Sequence, residues 1–252
     1  MEVVSFVLAS SVYMASMFTK DLPFNYITQK EGICKLMGGN FCSRVSFAAV
    51  TTFFYSLYTL VTDYLSLPVR NALNDSPSTY RSGAALGLFL AATSIFMNIL
   101  GGFIEVKGVD WSKVWLLPSI IVGMHLTGLT EELLYRALPI NALRSYMSED
   151  VLVVLTALIF GYVHSEQSLA YGLTTTISGV LFGYGFLRYG LYWAIGAHSN
   201  FNILETFFYT VAKVSVKNSL MTGERTTPDD DGLTGGLVEL AALFALKRIG
   251  YL

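Results

Sequence analysis

Residues 114–136 read VWLLPSIIVGMHLTGLTEELLYR, and the fold turns on how that stretch is taken. From Val114 to Thr130 no residue carries a formal charge; Glu131 and Glu132 then stand side by side, with Arg136 one helical turn on. An apolar run of this length approaches what a helix needs to enter a bilayer. Carboxylates at the end of such a run are costly, and membrane proteins keep them for function. Two later apolar runs each carry a histidine, in Phe160-Gly-Tyr-Val-His164 and in His198-Ser-Asn-Phe-Asn202. The three pieces read as one buried polar site assembled from three helices.

Composition agrees with a membrane setting. The 252 residues are 53% hydrophobic and only 13% charged, with a mean hydropathy of +0.54. Soluble domains carry roughly 25% charge. The apolar residues come in long blocks rather than amphipathic stripes. The expected architecture is all-α: a polytopic bundle of about eight transmembrane segments, forming one integral membrane domain over residues 1–252 with 114–212 as its catalytic core. A multi-pass protein of the plasma membrane or, in a eukaryote, of the endoplasmic reticulum follows. With a net charge of −2 and no basic cluster interleaved with aromatics, nucleic acid is excluded as a partner. Cys34 and Cys42 match no metal-binding spacing and read as free thiols, with a disulfide between them as the alternative.

The expected segments fall in order. Residues 2–19 lack the basic leader of a cleaved signal and read as a retained first helix. Val45–Leu67 and Ser82–Ile104 follow as spans, then a polar link over 105–113. After the glutamates, Leu133 to Met147 reads as an amphipathic continuation that Pro139 bends or breaks, lying at the membrane interface. Val151–Ser165, Gln167–Leu187 and Tyr189–Ala212 are the next segments, and Leu233–Leu246, carrying Glu239, is the last. The Gly, Ser and Thr content of 167–187 suits close helix approach in lipid.

The chemistry can be read from spacing. Adjacent helical residues point about 100° apart, so Glu131 and Glu132 cannot both face one point unless the helix end is irregular. Arg136, four residues after Glu132, is its natural ion-pair partner. That leaves Glu131 to act in the cavity as a general base. His164 can orient a water, bind a metal or relay a proton. His198 and Asn202 share a face and can stabilise an oxyanion. Glu205, seven residues after His198, is a possible neighbour of the site, whereas Asn200 points elsewhere and His125 reads as an interhelix hydrogen-bonding residue. Neither the Gly-x-Ser-x-Gly elbow nor His-Glu-x-x-His occurs.

These residues resemble the CAAX-protease and bacteriocin-processing (Abi) family of intramembrane proteases, which includes the prenyl-protein endopeptidases. Its Glu-Glu-x-x-x-Arg stands here as Glu131-Glu132-Leu-Leu-Tyr-Arg136. Its Phe-x-x-x-His is Phe160 to His164, and its His-x-x-x-Asn is His198 to Asn202. The resemblance implies a membrane endopeptidase acting on a membrane-associated peptide or protein, with prenylated CAAX proteins as one substrate class. Carried over by position, Glu131 is the general base, helped by His164; His198 and Asn202 hold the tetrahedral intermediate; Glu132, Arg136 and Phe160 support them. The resemblance leaves two chemistries open. Water is activated by glutamate alone, or a zinc ion is held by Glu131, His164 and His198 with one open position. Competing readings are a non-catalytic membrane scaffold, a bacteriocin self-immunity partner, and an ion or proton carrier using the same glutamates.

Overall fold

The computed structural model of the chain describes residues 7–12, 14–15, 39–67, 69–223 and 231–252. The expectations for residues 2–19 as one helix, for Cys34, for the Cys42 side chain and for residues 226–230 lie outside the described residues, although 7–12 and 14–15 are helical.

The helices are α1 (Gly39–Tyr64), α2 (Tyr80–Leu100), α3 (Leu117–Glu132), α4 (Leu138–Leu143), α5 (Glu149–His164), α6 (Leu169–Tyr189), α7 (Leu191–Val211), the short α8 (Ser219–Thr222) and α9 (Leu233–Arg248). Among the described residues, three helical stretches are long and apolar enough to cross a bilayer: Arg44–Tyr64, Pro77–Leu100 and Trp111–Leu143. The expected count of about eight is therefore met, by length and composition, in three cases. The 16-residue helices α5 and α9 rise only about 24 Å, against a hydrocarbon thickness of about 30 Å.

Apolar and polar side chains are distributed as in a membrane protein. Large apolar residues face outward, including Phe53, Leu60, Phe89, Phe96 and Leu158. Charged and polar ones lie inside, with Glu132, Arg136, Ser199, Glu205 and Glu239 all at most 1% exposed. Lipid rewards the first and penalises any exposed version of the second.

The centre of the bundle is the crossing of α2 and α7. Gly83 and Gly87, one turn apart, lie against the backbone of Trp193 and Ala197; a Cβ at either glycine would overlap a main-chain carbonyl of α7. This is the small-xxx-small device by which helices approach closely in lipid. The turn into α7 is fixed by Gly190, whose φ of +89° favours glycine, and by Asp75. Asp75 accepts from the Leu191 N–H at 2.8 Å and from Arg70 at 2.5 Å, so an acid satisfies the helix start.

Two elements depart from expectation. The chain is overwhelmingly helical but not all-α, because 104–109 is a strand, not a polar link. Helix α2 stops at Leu100, and Gly102, at φ +69°, turns the chain. Ile104–Val109 (β1) then pairs antiparallel with Ala212–Val216 (β2), placing Ile104 opposite Val216 and Val106 opposite Val214. β-Branched residues on both strands favour this pairing. Lys217 closes the ribbon on Glu105 at 2.9 Å, and that hydrogen bond holds the exposed Glu105 carboxyl below its usual value.

The second departure is the stretch after the glutamates. It is packed into the bundle and is not an exposed amphipathic helix: Leu133, Leu134, Arg136, Ala137, Leu138 and Ile140 are all at most 2% exposed. Leu133–Ala137 form a single π-helical turn, and Pro139 does not break a helix but sits in the first turn of α4, where its missing N–H costs nothing. π-Turns are rare and recur at functional sites.

Candidate active site

Two adjacent acids reach one target through the width of an imidazole ring. Glu132 Oε1 accepts from His198 Nδ1 at 2.8 Å, while Glu131 Oε2 lies 3.4 Å from His198 Nε2. The imidazole on α7 thus bridges the carboxylates at the end of α3, one at each ring nitrogen. Both glutamates lie in regular helix, with the π-turn beginning after them at Leu133, so they diverge as helical neighbours do and the ring spans the gap.

Glu132 also pairs with Arg136 Nη1 at 3.2 Å, and both side chains are fully buried. The guanidinium stacks over Phe160, 4.3 Å from the ring centroid, a cation–π contact that is strongest when desolvated. Phe160 lies edge-on to His164 at 4.4 Å and to His198 at 6.0 Å. Phe182 of α6 stacks on the other side of His198 at 5.3 Å. The ring of His198 is therefore fixed by two carboxylates, the stacked face of Phe182 and an edge contact with Phe160.

His164 donates from Nδ1 to the Phe160 carbonyl at 2.7 Å, which leaves Nε2 as an acceptor. No ion-pair contact joins it to either glutamate; the Phe160 ring lies between the two histidines.

A cavity of about 280 Å³ collects these groups. Glu131, Phe160, His164, His198 and Asn202 all line it, and Glu131 keeps 19% side-chain exposure. Glu132 and Arg136 are sealed behind it. The sequence-predicted residues thus fall together, with Glu131, His164, His198 and Asn202 facing the cavity and Glu132 and Arg136 bracing it. Glu205 is buried and does not line it. Asn200 turns away to the Tyr80 hydroxyl at 2.8 Å. His125 donates to the Ile121 carbonyl at 2.7 Å and meets Tyr80 at 2.5 Å, so it bonds between helices, outside the cavity.

Sequence reasoning missed several lining residues, among them Arg44, Ser178, Asp231 and Glu239. Glu239 carries the signal that singled out Glu131, an acid within an apolar run.

Among the described residues no three His, Cys, Asp or Glu side chains form a metal-binding group.

The site thus places an acid and an imidazole on the wall of an internal cavity of a helical membrane protein. Residues 113–204 match the family described as Type II CAAX prenyl endopeptidase Rce1-like. The matched segment contains all three motifs, so the resemblance read from them holds over it, and it supports a protease. No curated protein and no solved structure matches the chain.

Proposed function

We propose that the protein is a multi-pass intramembrane endopeptidase that hydrolyses a peptide bond of a membrane-associated, prenylated CAAX substrate, with residues 114–212 as its catalytic core. The observation that carries this reading is His198 held between Glu131 and Glu132 on the wall of a cavity that Asn202 and His164 also line. Glu131 takes a proton from a water in the cavity, and the water oxygen attacks the scissile carbonyl. His164 Nε2, free to accept, orients that water. The developing oxyanion receives hydrogen bonds from the Asn202 amide and from Nε2–H of a His198 ring that carries a proton on both nitrogens, its Nδ1–H being held by Glu132. The tetrahedral intermediate breaks at its C–N bond, and Glu131 returns the proton to the departing amine. Arg136 balances Glu132, so the acid that orients His198 is not left as a lone buried charge.

Water activated by Glu131 needs no metal in this scheme. A chelator and metal-readdition series on the purified protein tests that directly; activity that is lost to the chelator and restored by zinc would replace it.

The decisive experiment uses the protein in liposomes with prenylated and unprenylated peptides of one sequence. Cleavage confined to the prenylated peptide and lost in both Glu131→Ala and His198→Ala supports the reading. Cleavage that survives both substitutions removes the mechanism, and equal cleavage of both peptides removes the substrate class.

A further inference from the structure

A second acid faces the same cavity, and the hydrolysis above does not use it. Glu239 of α9 has no exposed surface, yet it lines the cavity. Its Oε2 accepts from Ser178 Oγ of α6 at 2.5 Å, while Oε1 is buried without a hydrogen-bond partner. Asp231 lines the cavity too, and both Asp231 and Glu205 lie within electrostatic reach of Glu239. An oxygen left without a donor in a buried site is destabilising. An arrangement of this kind suits a ligand that brings N–H groups and positive charge. A metal ion is not favoured, since no third ligand completes a set among the described residues.

The pair stands at a definite place relative to the reacting end. Phe182, stacked on His198, and Ser178 are four residues apart on one face of α6. The step between them is about 6 Å along the helix axis, close to the span of two residues of extended peptide. The amine freed beside His198 therefore has about one helical turn to travel along α6 before it meets Glu239.

We infer that Ser178 and Glu239 form an amine-binding subsite, which takes the new amino terminus of the peptide released by cleavage. The inference rests on the peptidase reading above. Hydrolysis breaks the C–N bond, gives water's hydroxyl to the carbonyl carbon and its remaining proton to nitrogen. One fragment then ends in a carboxyl group and the other begins with an amine, which takes a further proton from water at neutral pH. The ammonium is drawn to the acidic wall, and the carboxylate is repelled by it. Glu239 Oε1 accepts an N–H of the ammonium, while Ser178 fixes the carboxyl plane by occupying Oε2. The wall thus separates the two products by charge.

The test measures binding of the product, not turnover. The full chain in nanodiscs is titrated by calorimetry with the apolar tripeptide Val-Leu-Leu, either with a free amino terminus or N-acetylated. A charge-assisted hydrogen bond to the ammonium makes the free amine bind about tenfold more tightly. Glu239→Gln, which keeps the shape and removes the charge, erases that preference, and Ser178→Ala narrows it to about threefold. Equal binding of both tripeptides to the parent protein overturns the subsite, as does a preference that persists in Glu239→Gln. Should Glu239→Gln fail to fold, Ser178→Ala decides alone: an undiminished preference there overturns the pair. A protein that cleaves nothing yet prefers the free amine sinks the peptidase reading and leaves the subsite standing, whereas cleavage without the preference does the reverse.

Discussion

His198 and His125 are both single histidines in apolar helices, and each makes a polar contact to a neighbouring helix. Their surroundings differ in kind. Around His125 every group is satisfied: Asn200 donates to the Tyr80 oxygen, the Tyr80 hydroxyl meets Nε2, and Nδ1–H donates to the Ile121 carbonyl. Nothing is left over, and the cluster stands outside the polar cavity. Around His198 two carboxylates compete for one ring, and one of them, Glu131, keeps part of its surface open to the cavity. A polar bridge that closes on itself holds helices together. One that ends in an open acid next to space for water can do chemistry.

The sharpest way to break this comparison is to remove the open acid. Glu131→Gln keeps size and hydrogen-bonding capacity but cannot take a proton, so kcat/KM for a prenylated peptide is expected to fall by about 10²- to 10⁴-fold. Cleavage within tenfold of the parent would show that Glu131 is not the base. His198→Ala comes next. It removes one oxyanion donor and the link to both glutamates, and a loss of about 10²- to 10³-fold is expected. Asn202→Ala should fall in the same range if it supplies the other donor. A loss in KM alone, with kcat unchanged, would move Asn202 to substrate binding instead.

Arg136 separates the bracing of the site from its chemistry. Arg136→Met keeps an apolar stem against Phe160 but leaves Glu132 buried beside His198 without its cation. Removing one partner of a buried pair costs about 3–5 kcal/mol, read as a drop in thermal unfolding temperature in detergent. The double variant Glu132→Gln/Arg136→Met leaves no charge behind and is expected to recover a large part of that stability. Activity should not recover with it, because a neutral amide in place of the Glu132 carboxylate holds the His198 ring less firmly. A double variant no more stable than Arg136→Met would mean that the ion pair is not what Arg136 contributes.

The legible part of this molecule is the part written in short spacings. Glu132 to Arg136, Phe160 to His164 and His198 to Asn202 are each four apart, so a helix brings them together before any tertiary structure is known. The helix bounds also follow from apolar runs, within a few residues. What stays hidden depends on pairings far apart in the chain. Ser178 and Glu239 are 61 positions apart, and nothing local in either segment points to the other. The ribbon of Ile104–Val109 with Ala212–Val216 reads as a linker because each strand is too short to announce itself without its partner. The π-turn at Leu133–Ala137 is invisible for a different reason: its residues are ordinary helix formers, and the irregular turn belongs to the packed structure rather than to propensity.

The smallest expected effect tests the other half of the comparison. His125→Phe preserves the ring that stacks on Tyr80 at 5.8 Å and deletes its hydrogen bonds. The Tyr80 oxygen still receives Asn200, and its O–H, which loses its acceptor, is on a residue that is only half-buried. The cost should be about 1 kcal/mol of stability, and kcat/KM should stay within about twofold of the parent, since no atom facing the cavity moves. Tyr80→Phe should give a similar stability loss, and the pair should be non-additive because they share one bond. A tenfold fall in activity in His125→Phe, with the protein folded, would mean that the satisfied bridge on α3 sets the position of Glu131 at the far end of the same helix. The division between a strut and a site would then fail, and the two histidines would belong to one coupled element.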